Sequence, residues 1–259
     1  MSRPIRGTPS GVSCHVVCIY LWLAYRGVPE KLLGAAGGRL TATGRPVLHE
    51  ARQPYPDACR VVFEVSRLVV DVERFSHDCD EPMSRVGQGM IYTKTCTGEP
   101  LRRELSEEER RFLKSEYYVR HHELLRRAVL DELLARGKAL IVDCHSYPSR
   151  PLPCDVSQDE NRPDFCIGTD AFHTPQALLQ VVDSAVRGRA YSVGINSPYS
   201  GTLVPSAYYR KNPNVWSVMI EVNRKLYMDE ITGSKLPGFN ALKGQMQAIL
   251  RALSDFGSA

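Results

Sequence analysis

The pattern of apolar and polar positions is uneven along this chain and clearest in its middle. Ala139, Leu140, Ile141 and Val142 run without a polar break into Asp143, Cys144, His145 and Ser146, and Pro148 then ends the regular stretch. A run of that kind fits a strand covered on both faces, as in a parallel sheet. Helical spacing precedes it. Ser106, with Glu109 three residues on, forms a capping box, and apolar residues recur at Phe112, Leu113, Val119, Leu124, Leu125, Val129, Leu133 and Leu134 until Gly137. That pattern predicts one long helix over 106–137.

Upstream, residues 60–65 (RVVFEV) and 66–72 (SRLVVDV) read as two β-rich stretches. The second delivers Asp71, Glu73, Arg74 and Phe75 into a loop holding Asp78, Asp80 and Glu81, which returns through a short strand at Met90, Ile91 and Tyr92. Downstream, Thr174 and Pro175 open a helix with Leu178, Leu179, Val182 and Val186 inward and Gly188 at its close. Residues 191–195 and 216–222 read as strands, the first running into Asn196-Ser197-Pro198-Tyr199, the second ending in Glu221, Asn223 and Arg224. A last amphipathic helix carries Phe239, Leu242, Met246, Ile249, Leu250 and Leu253 on one side. Strands and helices in this order predict an α/β chain, and no internal repeat or low-complexity linker interrupts it.

The N-terminal part is different. Before Asp57 the only acidic residues are Glu30 and Glu50, while Gly34, Gly37, Gly38 and Gly44 break any helical pattern. The chain therefore divides into an atypical segment, 1–56, and a folded domain, 57–259, with the segment either joined to the same domain or poorly ordered. The apolar stretch 12–25 contains His15, lacks a small-residue cleavage site and is shorter than the ~20 residues of a membrane span. Neither a targeting peptide nor a membrane partner is expected.

Composition narrows the function. With 43% hydrophobic residues in 259, the chain can bury a full core. Basic residues number 33 against 29 acidic, a formal charge of +4, and the two signs are interspersed, which gives no support to nucleic-acid binding. Eight cysteines without zinc-finger or thioredoxin spacing read as reduced thiols of a cytoplasmic protein. Cys14, His15 and Cys18 would need a fourth ligand to hold a metal.

Four predicted strand ends carry polar groups: Asp71/Glu73/Arg74, Asp143/His145, Asn196 and Glu221/Asn223/Arg224. If the strands are parallel, these groups share one rim of the sheet, where open α/β sheets bind ligands. An imidazole, carboxylates and guanidinium groups in one crevice suit metal-assisted hydrolysis of an anionic substrate. The metal polarises a carbonyl, a carboxylate moves the proton and Arg pairs with the substrate's carboxylate. Asp143 could ligate directly or only orient His145. Cys144 and His145 point to opposite faces of a strand, so they form no nucleophilic dyad. His121 and His122 lie about 100° apart on their helix and read as packed or solvated. His173 reads as serving the start of the following helix.

Several stretches together resemble the N-formylglutamate amidohydrolase family. They are Ser66-Arg67-Leu68-Val69-Val70-Asp71-Val72-Glu73-Arg74-Phe75, Gly87-Gln88-Gly89-Met90-Ile91-Tyr92-Thr93, Asp143-Cys144-His145-Ser146, Arg162-Pro163-Asp164-Phe165-Cys166-Ile167-Gly168-Thr169-Asp170, Pro198-Tyr199-Ser200-Gly201-Thr202 and Met219-Ile220-Glu221-Val222-Asn223-Arg224. The resemblance implies a three-layer α/β/α sandwich around a mixed, largely parallel sheet, like that of zinc exopeptidases. It implies zinc-dependent hydrolysis of a small acidic N-acyl amino acid, N-formylglutamate giving glutamate and formate in histidine breakdown. By position, His145 would be a zinc ligand and Glu221 the general base. Arg74 and Arg224 would pair with substrate carboxylates, and Asn196 and Tyr199 would line the pocket. The family's Pro-His-Ser stretch near the N-terminus has no counterpart here, since Pro9-Ser10-Gly11 lacks the histidine. A shifted reading frame over 12–50 and a natural divergence both account for this. The second gives an alternative, an inactive relative that has lost its metal site and at most binds a dicarboxylate; if the chain keeps its zinc, His15, His49 and Glu50 are the candidate replacement ligands.

Overall fold

The computed structural model describes residues 16–21, 59–63 and 65–258. Its strands are β1 (Val16–Leu21), β2 (Cys59–Phe63), β3 (Ala139–Tyr147), β4 (Phe165–Gly168), β5 (Val193–Ile195) and β6 (Val215–Asn223). Its α-helices are α1 (Glu107–Leu113), α2 (Arg120–Arg136), α3 (Gln176–Arg187) and α4 (Phe239–Ser258). The six strands form one mixed sheet in the order β2-β1-β3-β6-β4-β5. Four of the five pairings are parallel, and β4 runs antiparallel to β6.

The unbroken apolar runs follow from cover on both faces. On β3, Leu140, Val142 and Cys144 point one way, join Phe165, Ile167, Val218, Ile220 and Val222, and pack beneath Leu178, Val182 and Val186 of α3 and Met246, Ile249 and Leu253 of α4. The alternate residues Ala139 and Ile141, with Val215, meet Leu125, Ala128 and Val129 of α2. Period two on the strands has thus split one sequence run between two helical layers. Cys144 lies in the first layer, away from His145, as alternation requires. No helix among the described residues is long and apolar enough to cross a membrane.

Three elements differ from the sequence pattern. The predicted long helix is α1, a π-helical turn (Lys114–Val119) and α2 in succession, opened by the Ser106–Glu109 capping box and closed at Gly137, whose φ is 75°. Phe112, Val119, Leu124 and Leu134 are more than half or about half exposed, so the stripe that α2 buries is narrower than its apolar spacing. The stretch 66–72 is a turn-rich loop rather than a strand, and 90–92 is also irregular. Val69, Val70 and Val72 are nonetheless buried, with Met90, Ile91 and Leu105, in a third apolar cluster beside the sheet. Side chains serve the backbone that a ladder would have served. Arg102 donates to the carbonyls of Leu68 and Val69, His122 Nε2 donates to Val72 O at 2.8 Å, and Tyr118 donates to Arg74 O at 2.9 Å. The third difference is β4, whose four residues are too short a run to stand out as a strand.

Of the atypical N-terminal segment, Val16–Leu21 enters the sheet between β2 and β3. His15, His49, Glu50, Cys14 and the Pro9-Ser10-Gly11 stretch lie outside the described residues.

Candidate active site

The carboxyl ends of β3 and β6 lie side by side, with His145 opposite Glu221 in the register. Odd-numbered residues of β3 turn from the α3–α4 layer, so Asp143 and His145 emerge on one face where the cover of α2 has ended. The loop after β2 brings Glu73 to them. Glu73, Asp143 and His145 place one potential ligand atom each within 4.8 Å of one another. His145 Nε2 donates to Asp143 Oδ1 at 2.7 Å, and Glu73 Oε1 lies 2.9 Å from the same nitrogen. One N–H cannot aim at both oxygens. Glu73 Oε1 is left buried without a hydrogen bond, and so is Oε2 of Glu221, the β6 residue opposite His145. Asp143 has its second oxygen fixed by Leu203 N–H at 3.2 Å.

This crowding of charge shifts proton affinities. Burial opposes a charge on His145, but the Asp143 and Glu73 carboxylates outweigh it and hold the imidazolium well above the usual histidine range. Burial, reinforced by Asp143, pushes the Glu73 carboxyl up to about 7. Burial also raises Glu221, with His145, Arg67 and Arg224 acting against it.

Arg67 belongs to this centre although its role was not legible in the sequence. Its guanidinium lies 3.6 Å from both Asp71 and Glu73, beyond hydrogen-bond length, and its field reaches Glu221. The signal that could have found it is its place in the same motif stretch, 66–75, as Asp71 and Glu73. Arg74 meets the same Asp71 oxygen at 3.5 Å and Glu81 at 3.8 Å, and its Nε is buried without a hydrogen bond. Asp71, buried, also accepts from Tyr92 at 2.7 Å, and it caps the turn through Glu73 N–H.

The other sequence candidates are more dispersed. Arg224 donates to Ser146 Oγ and O at 3.3 and 3.0 Å, one residue past His145. Tyr199 stacks edge-on against Tyr147 and, with Asp155 and Arg162, builds a polar wall. Arg162, whose side chain is almost fully buried, stands just ahead of β4. Asn196 is exposed and bonded to Thr169 through both its oxygen and its nitrogen. The expectation that Asn196 shares the rim of His145 and Glu221 rested on parallel strands. Because β4 and β5 run against β6, the carboxyl end of β5 points to the opposite rim, and the start of β4 with Arg162 takes its place. His121 packs edge-on against Phe63, and His173 is fully buried, its Nδ1–H donating to Val215 O while Nε2 accepts from Arg210 N–H.

A mixed α/β sheet whose parallel strands end in a buried imidazole among three carboxylates defines a hydrolytic type of enzyme centre, able to hold a cation and to move a proton. The N-formylglutamate amidohydrolase profile matches residues 40–228, and the chain belongs to that family of hydrolases acting on an amide. It is similar in structure to the N-formylglutamate amidohydrolase of Ralstonia eutropha, with a TM-score of 0.77, 21% identity and 96% of each chain covered. It is also similar to a gene product of Agrobacterium tumefaciens, with a TM-score of 0.67, 20% identity, and 94% of this chain and 92% of that one covered. Among curated proteins none matches the chain.

Proposed function

We propose that this protein hydrolyses the N-acyl amide of an acidic N-acyl amino acid, with N-formylglutamate as the substrate, in a metal-dependent reaction. The reading extends to the fold, a three-layer α/β/α sandwich of the zinc-exopeptidase kind, and to the setting, cytoplasmic histidine breakdown. What carries it is the pair of buried carboxylate oxygens, Glu73 Oε1 and Glu221 Oε2, that lack hydrogen bonds beside the His145 imidazole. A buried orphan acceptor is costly unless something fills its place.

The donor set fits zinc. A catalytic zinc takes about three protein ligands from His and carboxylates, and Glu73, Asp143 and His145 offer that number where His145 alone would not. Held there, zinc would polarise the amide carbonyl and make a bound water more acidic. The chain's own groups account for the rest. Glu221, kept basic enough by burial, takes a proton from the attacking water and hands it to the departing amine nitrogen. Water thus adds to the carbonyl carbon, the C–N bond breaks, and formate and glutamate leave. Arg67, which contacts Glu73 and whose field reaches Glu221, receives the α-carboxylate, while Arg74, whose contacts are Asp71 and Glu81, holds the loop. Arg224 steadies Ser146 next to His145, and Tyr199 with Arg162 closes one side of the pocket. Asn196 has a structural part in pairing β5 to the residues after β4.

The test is formate release from N-formylglutamate by the full chain with and without added zinc, together with Glu221→Gln. The expected result is zinc-stimulated formate release that falls roughly 10²- to 10⁴-fold in Glu221→Gln, the range for loss of a general acid–base group. Formate release at an undiminished rate by Glu221→Gln would remove Glu221 from this role, and no release under any metal would overturn the activity.

A further inference from the structure

Away from the cluster of His145, a second concentration of charge has no assigned use. A cavity of about 300 Å³ is lined by Arg102, Arg103, Glu104, Leu105, Thr93 and Arg110 among others. Arg102 is more than nine-tenths buried. A buried guanidinium normally faces a carboxylate. Among the described residues Arg102 pairs with none: its two terminal nitrogens serve the carbonyls of Leu68 and Val69, and Nε is buried with no partner. The charge that acts on it among the described residues, Arg110, is of the same sign. Arg110, on α1, makes no ion pair among the described residues, and no ion pair joins Glu104 to either arginine. Arg103 turns its charge to Glu109. Burial, with Arg110 adding to it, brings the Arg102 pKa down to about 10, which is the mark of a cation lacking its counter-charge.

We propose that this cavity is an anion-binding site, in which Arg102 and Arg110 together take a small oxyanion, a phosphate or a carboxylate. Arg102 offers its unpartnered Nε–H and Arg110 its guanidinium fork; both ligand types present oxygens to such donors in the same manner, and Leu105 gives the cavity an apolar side that admits a short carbon chain. Occupancy has a consequence for the loop. Arg102 holds the backbone of Leu68 and Val69, which lie between Arg67 and the turn carrying Asp71 and Glu73. An anion that fixes Arg102 therefore fixes that loop more firmly.

The experiment is calorimetric titration of the full chain with inorganic phosphate and, separately, with acetate, repeated on Arg110→Gln. Arg110 sits on a partly exposed helical position outside the catalytic cluster, so its replacement leaves the fold and the basal hydrolysis rate unchanged. Saturable binding of one anion per chain is expected, weakened at least ~10-fold in Arg110→Gln, where one charge-assisted contact is lost. Phosphate binding without acetate binding identifies a phosphoryl ligand, and the reverse identifies a carboxylate. Absence of saturable binding by both anions, or equal binding by Arg110→Gln, overturns the proposal.

Discussion

At the scale of single residues, chemistry here is set by which polar atoms lack partners. The single Nε2–H of His145 has two carboxylate oxygens within 2.9 Å, so Asp143 is satisfied and Glu73 is not. Arg67 is similarly under-used, with both of its carboxylate contacts at 3.6 Å. Replacing it with Met should raise the KM for N-formylglutamate roughly 10- to 100-fold and change kcat less, as removal of a charge-assisted contact made equally in ground and transition states does. Steady-state kinetics of Arg67→Met and Arg74→Met decide which guanidinium meets substrate. A larger KM effect in Arg74→Met would reverse the assignment. Gly168 shows a different residue-level constraint. A Cβ there would come within 2.2 Å of Gly201 O, so the end of β4 can approach the 198–202 loop only with glycine at this position.

At the scale of elements, helix α2 and the loop 66–75 explain each other. The loop reads as a strand because its valines are spaced for one, but its backbone partners are side chains from outside any sheet: Arg102, Tyr118 and His122. His122 therefore has a packing role, and its neighbour His121 faces the core against Phe63. Burial, with His122 adding like charge, pushes the His121 pKa down to about 4. The folded chain then keeps His121 neutral where the unfolded chain protonates it, so stability contributed at neutral pH is lost as pH falls from about 6.5 towards 4. Between pH 7 and pH 5 this amounts to about 2 kcal/mol at one pKa unit per 1.36 kcal/mol. Urea unfolding at the two pH values should show His121→Leu losing less stability than the parent chain over that interval. An identical loss in both would mean that His121 is already protonated in the fold.

For the molecule as a whole, the site is a junction between parts distant in sequence. Glu73 comes from the loop after β2 and the other two donors from β3, with α1 and α2 between them. An ion shared by those donors would join the loop to the sheet and stabilise the folded state by its binding free energy. Zinc is accordingly expected to raise the midpoint of thermal unfolding by several degrees, about 4 °C or more for each ~2 kcal/mol of linkage in a chain of this size. A chelator should reverse the rise, and His145→Ala should abolish it. An equal rise in His145→Ala would place the metal elsewhere. The sheet's reversal between β6 and β4 acts at this same scale, since it removes Asn196 from the rim and brings Arg162 to it.

The sequence by itself determined the α/β class, the buried strand at 139–147 with Asp143 and His145 on one face, the capped helix start at Ser106, and the family through its ordered motifs. Each of these rests on local spacing or local hydrogen bonding, which a chain carries in its own order of residues. Tertiary structure alone decided that 66–72 is a loop, that β4 runs backwards, and that Glu73, with Arg67 behind it, and not Asn196 meets His145. Those outcomes depend on strand direction and on side chains such as Arg102 and His122 reaching backbone carbonyls more than thirty residues away, and no local pattern encodes such long-range contacts.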